Sequence, residues 1–168
     1  MNCWDATERR GTAELAAAVR ISVAVQADPT ASYVLCIMAI KLNHTIVNSR
    51  DARAGADFLV GLFGLPEPVP FGPFLGVKVA NDVTLDYLDA GEHEIQIQHY
   101  AFLVSDEEFD QIFGRIRERG LTHWADPAMK QQGQINHHFG GRGVYFQDPS
   151  GHLLEIITRP YGNELPKQ

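Results

Sequence analysis

The sequence predicts an α+β fold made of one unit used twice, and three observations point to it. Two segments, about 40–90 and 95–161, each read as a strand, then a helix, then several strands in a meander. A histidine stands in the opening strand of each, His44 and His99, 55 residues apart, about one supersecondary unit. An acid stands in the closing strand of each, Asp86 in the first and Glu155 in the second. The interval from histidine to acid is 42 residues in the first half and 56 in the second, and a long loop explains the surplus. A length of 168 residues suits one globular domain, for which roughly 100–200 residues is usual.

The elements follow in order. Residues 1–37 precede the repeat, with Met38 immediately before the first strand. Ala13–Ala27 has a faint leader-like look, but Arg20 in the middle of the apolar stretch speaks against secretion. These 37 residues are expected to be a non-catalytic extension, with residues 38–168 forming the functional domain. Alternation over 40–47 sets Ile40, Leu42, His44 and Ile46 on one face. Residues 50–63 carry Gly55, Phe58, Leu59, Leu62 and Phe63 at helical spacing, with Gly64 as C-cap and Pro66 as stop. Strands at about 74–80 and 83–89 complete the half, the latter with Thr84, Asp86 and Leu88 on one face.

The second half opens with a strand over 95–104 that aligns Ile97, His99, Ala101 and Leu103. Ser105-x-x-Glu108 is a capping box, followed by Phe109, Ile112, Phe113 and Ile116 as a helical stripe ending at Gly120. Strands at about 121–125, 142–147 and 152–158 close it.

Composition excludes several function classes. A net charge of −7 and the lack of a dense Lys/Arg patch argue against a nucleic-acid partner. No run of about 20 apolar residues offers a membrane-spanning helix. Cys3 and Cys36 form neither a CxxC pair nor a disulfide framework, which points to a reducing cytoplasm.

His44, His99 and Glu155 carry the chemistry. Taken singly, a histidine in an apolar strand is commonly a hydrogen-bonded core residue, and a glutamate can cap a strand. Glu155, however, shares a face with Leu153 and Ile157, where an unpaired carboxylate is costly to bury. Two imidazoles and one carboxylate converging from equivalent places make a ligand set for one divalent metal ion. Three protein ligands leave coordination positions open, as catalysis requires. The set suits Fe(II), and Mn, Zn, Ni or Co could occupy it.

The repeated unit resembles the vicinal oxygen chelate superfamily over about residues 40–161. That superfamily includes glyoxalase I, extradiol ring-cleavage dioxygenases, fosfomycin-resistance transferases and metal-free bleomycin-binding proteins. The most specific stretch runs from Gly141 through Tyr145, Asp148-Pro149-x-Gly151 and His152 to Glu155. The resemblance implies two tandem βαβββ modules forming a curved, mostly antiparallel sheet around a metal-binding cleft, and a homodimer that covers the sheet edges. It implies a fourth ligand at Asp86, or a supporting or substrate-contacting role there, since Asp is shorter than the usual Glu or Gln. It also implies that His138 acts as an acid–base residue and Tyr145 as a hydrogen-bond donor to substrate. Arg142, in Gly140-Gly-Arg-Gly143, is a candidate contact for an acidic substrate group. The expected activity is metal-dependent and directed at a small molecule with adjacent oxygen atoms, by dioxygenase-like ring cleavage or glyoxalase/lyase-like chemistry. The alternative is a metal-free binding protein of the bleomycin-resistance type. The familiar two-domain ring-cleavage enzymes are about twice this long, and the sequence does not name the substrate.

Overall fold

Asp51 and Ser105 do the same job in the two halves: each ends a strand and caps a helix. In the computed structural model, which describes residues 40–161, Asp51 accepts a hydrogen bond from the Ala54 N–H at 2.9 Å. Ser105 and Glu108 form the full capping box, at 3.1 and 2.7 Å. The first module runs β1 (His44–Ser49), α1 (Ala52–Phe63), β2 (Val69–Phe71), β3 (Phe74–Lys78) and β4 (Thr84–Asp89). The second runs β5 (His99–Leu103), α2 (Asp106–Glu118), β6 (His123–Trp124), a short 3-10 turn at His138–Gly140, β7 (Gly143–Gln147) and β8 (Leu153–Ile157). Gly64 takes the left-handed conformation at φ 71 and closes α1 as expected. The expected extension at residues 1–37, with both cysteines, lies outside the described residues. Among the described residues no helix is long and apolar enough to cross a membrane.

The sheets are two, each four-stranded, with orders β1-β4-β3-β2 and β5-β8-β7-β6. In each, the opening strand pairs in parallel with the closing strand and the other pairings are antiparallel. The two modules share one core, in which Leu59 and Leu62 of α1 join Phe109, Ile112 and Ile116 of α2. Phe63 packs edge-on against Phe102 at 4.8 Å across the module boundary. Arg115 on α2 donates to the Leu62 carbonyl at 2.9 Å.

This packing corrects which face of the opening strands is buried. Regular pairing of β1 begins at His44 rather than at residue 40, and Val47 and Ser49 are its buried residues. Ile46 and Leu103, which share the His44 and His99 faces, are 46% and 62% exposed. The helices cover one face of each sheet, and alternation along the strands sends His44, Ile46, His99, Ala101 and Leu103 to the other.

The Asp148-Pro-Ser-Gly151 turn has a structural duty. Asp148 accepts from the N–H groups of Ser150 and His152, at 2.9 and 2.8 Å, and Gly151 sits at φ 89. His152 is fully buried. Its Nδ1 accepts from the Gln98 N–H at 3.0 Å, so its Nε2–H donates to the Asn48 carbonyl at 2.8 Å. One neutral imidazole thereby ties β1 to the start of β5.

Candidate functional site

Strand register brings the second half's acid and histidine together. Glu155 lies between Tyr145 on β7 and Ala101 on β5. Because Ala101 is small, Glu155 reaches past it to His99, two residues earlier on the same face. His99 Nε2 stands 3.3 Å from Glu155 Oε2, with the glutamate side chain 1% exposed and the histidine 46%. His99 Nδ1 lies 3.1 Å from the Leu153 carbonyl. A carbonyl only accepts, so that nitrogen carries a proton, and Nε2 is the nitrogen turned to the carboxylate. An imidazole nitrogen and a carboxylate oxygen face one another, an arrangement that either a shared proton or a cation between them satisfies. The donor set fits a divalent ion, which takes imidazole and carboxylate together, and the Leu153 carbonyl fixes the ring as metal-binding histidines usually are.

The other Glu155 oxygen is held from the opposite side. The Tyr161 hydroxyl donates to Oε1 at 2.6 Å. Tyr145 is buried and stacks on His99 with ring centroids 5.9 Å apart. Burial, with hydrogen bonds to Glu155 and Tyr161, raises the Tyr145 phenol well above the ordinary tyrosine range, so it stays protonated as a donor.

The first module repeats this geometry in part. Asp86 is the register partner of Ile46, two residues beyond His44, as Glu155 is of Ala101, two beyond His99. The equivalence of Asp86 and Glu155 thus holds in three dimensions, with bulky Ile46 in place of the small alanine. Asp86 is half-buried beside Gly76, where a methyl group would meet its carboxylate at 3.2 Å. His44 is exposed, its Nδ1 2.8 Å from the Asn43 side-chain oxygen.

The three predicted ligands do not converge within one chain. Among the described residues no three His, Cys, Asp or Glu side chains stand close enough to hold one ion. His44 lies in one sheet while His99 and Glu155 lie in the other, and the two sheets share no strand pairing. The modules are joined through their helices, α1 and α2. A cavity of about 460 Å³, lined by Leu42, Thr45, Leu85, His99, Tyr100 and Leu103 among others, lies beside β1 and β5.

The loop residues are placed individually. His138 is exposed at the start of the 3-10 turn. The next residue, Phe139, is held at φ 54 with its ring 5.2 Å from that of Tyr161. Arg142 does not face the Glu155 cluster: it pairs with Asp106 and Asp110 of α2 at 3.1 and 2.5 Å, and its guanidinium lies 4.4 Å over the Phe109 ring. Those contacts account for it without a substrate. Tyr161 carried no sequence signal, because it follows the last strand and the repeat has no counterpart for it.

The Glyoxalase/Bleomycin resistance protein/Dioxygenase superfamily description matches residues 41–156. Glutathione transferase FosA of Serratia marcescens is 29% identical over 127 residues, 71% of this chain and 81% of that one. The solved structure of oxidase ChaP-H1 is 60% identical, covers 74% of this chain and 100% of its own, and has a TM-score of 0.72. A variant of the fosfomycin resistance protein FosX from Listeria monocytogenes, solved with Mn(II) and 1S,2S-dihydroxypropylphosphonic acid, shares the fold. Its TM-score is 0.56 at 20% identity, over 74% of this chain and 96% of that one.

Proposed function

Because the chain belongs to the glyoxalase/bleomycin resistance protein/dioxygenase superfamily and is an enzyme of it, we propose a divalent-metal centre completed by two copies. His99 and Glu155 of one copy hold the ion together with His44 of the other, with Asp86 beside that His44 as supporting or fourth ligand. The observation that carries this reading is the His99–Glu155 pair, an imidazole nitrogen 3.3 Å from a buried carboxylate. Separation of the first- and second-module ligands within one chain, and the uncovered apolar face around them, make a second copy the natural complement. The assembly is a homodimer with two equivalent sites.

The substrate is a small molecule with adjacent oxygen atoms. When bound, the ion supplies Lewis acidity towards those oxygens. Around it, His99 is held in one tautomer by the Leu153 carbonyl, and Tyr145 shields the Glu155 carboxylate from water. His138, on the exposed turn, takes or returns the proton of a substrate hydroxyl. The 60% identity to a protein named an oxidase favours oxygen-dependent chemistry on a diol over glyoxalase/lyase-like or transfer chemistry. His138→Phe then lowers turnover about 10²–10⁴-fold, the range for a general acid–base residue, while bound metal is retained. Full activity in that variant would remove the proton-transfer role.

Mixing two inactive variants tests the shared centre. His44→Ala and Glu155→Ala chains, co-refolded, place an intact His44 against an intact His99–Glu155 pair in one site of each mixed dimer. Random pairing of a twofold dimer makes about half the dimers mixed, so about a quarter of the sites recover metal. A site contained in one chain recovers none. A second reading, a metal-free small-molecule binder, is favoured by the lack of three convergent donors among the described residues of one chain. Elemental analysis of the wild type showing no divalent ion, with ligand binding unchanged in His44→Ala, would establish that reading instead.

A further inference from the structure

The geometry points to Tyr161 as the residue that positions Glu155, holding one carboxylate oxygen so that only the other is offered to an ion. The inference rests on the metal-centre reading above, and its evidence is the surroundings of the carboxylate. Glu155 is buried, so each of its oxygens must find a donor or a cation inside the protein. Oε1 accepts from the Tyr161 hydroxyl at 2.6 Å, a short charge-assisted bond. Oε2 is left facing His99 Nε2 at 3.3 Å. The two oxygens therefore have separate duties.

The tyrosine is itself held in place. Its ring is partly exposed, and only its hydroxyl reaches inward. Phe139 backs the ring at 5.2 Å, from a left-handed backbone conformation that non-glycine residues seldom adopt. Such strain persists when surrounding structure holds it, and it clusters at functional sites. With Oε1 occupied, Glu155 would offer an ion one oxygen, Oε2.

Cobalt reports on this directly, because its visible spectrum changes with ligand number and geometry. The full-length protein is titrated with Co(II), and affinity and absorption are followed for the wild type and for Tyr161→Phe, Phe139→Leu and Glu155→Ala. Tyr161→Phe keeps the ring and its contact with Phe139 but removes the donor. The expected result is about 10-fold weaker Co(II) binding, the lower end of the effect of removing a group that orients a ligand, with a changed spectrum. Unchanged affinity and spectrum would mean that Tyr161 only packs against the loop, and would overturn the inference. Should Tyr161→Phe fail to fold, Phe139→Leu keeps the hydroxyl but loosens its backing. It is expected to change the spectrum in the same direction, and an unaltered spectrum there overturns the inference equally. Co(II) binding lost in Glu155→Ala but intact in Tyr161→Phe sinks the tyrosine's role alone. No Co(II) binding in the wild type sinks the metal centre with it.

Discussion

At Gly143 the first strand residue after the long loop passes so close to Asn136 that a side chain has no room. An added Cβ would lie 2.7 Å from the Asn136 side-chain oxygen, and the two residues exchange backbone hydrogen bonds of 2.8 and 3.0 Å. Asn136 in turn donates to the Ala125 carbonyl at 2.9 Å, pinning the loop to β6. Gly143→Ala is expected to cost about 1–3 kcal/mol, as overpacking usually does, measurable by urea unfolding. Tyr87 makes a second prediction at this scale. Burial, and after it the charge of Asp148, raise its phenol above the ordinary tyrosine range. The folded phenol titrates above the unfolded one, so its stabilising contribution is full below about pH 10 and is lost as pH climbs towards the folded value. Melting temperature should fall as pH passes 10, and Tyr87→Phe should flatten that fall. Equal slopes for the two proteins would disprove it.

Among the elements, α2 was the most legible in the sequence, since its start, stripe and end are each written in local chemistry. Ser105 and Glu108 close the box that spacing alone predicted, and Phe109, Ile112 and Ile116 are buried. Ser105→Ala should cost about 1 kcal/mol, read as a lower unfolding midpoint with an unchanged slope against denaturant. Asp106, Glu107 and Glu108 add favourable charge at the same helix end, and Arg142 clamps that end from β7. Strand β2 was not anticipated. Its three residues are all exposed and include Pro70, so it has no buried face whose alternation could announce it. The ion pairs of Arg142 were not legible, because its glycine-rich surroundings describe only its own loop while its partners lie on a helix more than 30 residues away.

For the whole molecule, assembly depends on what covers the sheet faces opposite the helices. Ile46, Val69, Phe71 and Leu103 lie exposed in one chain, and burial of that area favours association. Scattering at micromolar concentration is expected to give about twice the 18.7 kDa chain mass. Ile46→Asp, placed on this face but outside the core, should yield a folded monomer that also loses metal. A dimeric Ile46→Asp protein would place the interface elsewhere.

The sequence by itself determined the repeat, the two helices with their caps, and the equivalence of Asp86 with Glu155. These rest on periodicities and short spacings that local backbone geometry imposes wherever the chain goes. It also marked His99 and Glu155, because a carboxylate among aliphatic strand residues demands a partner. Only the tertiary structure decided which strand face is buried, since alternation marks two faces alike and the helix packed on one of them makes the choice. Only it placed His44 in a different sheet from His99 and Glu155, because nothing in the strands states how two modules pack on each other. Tyr161, too, became visible only when the turn after β8 folded back over Glu155, a contact set by three-dimensional packing and not by any repeat.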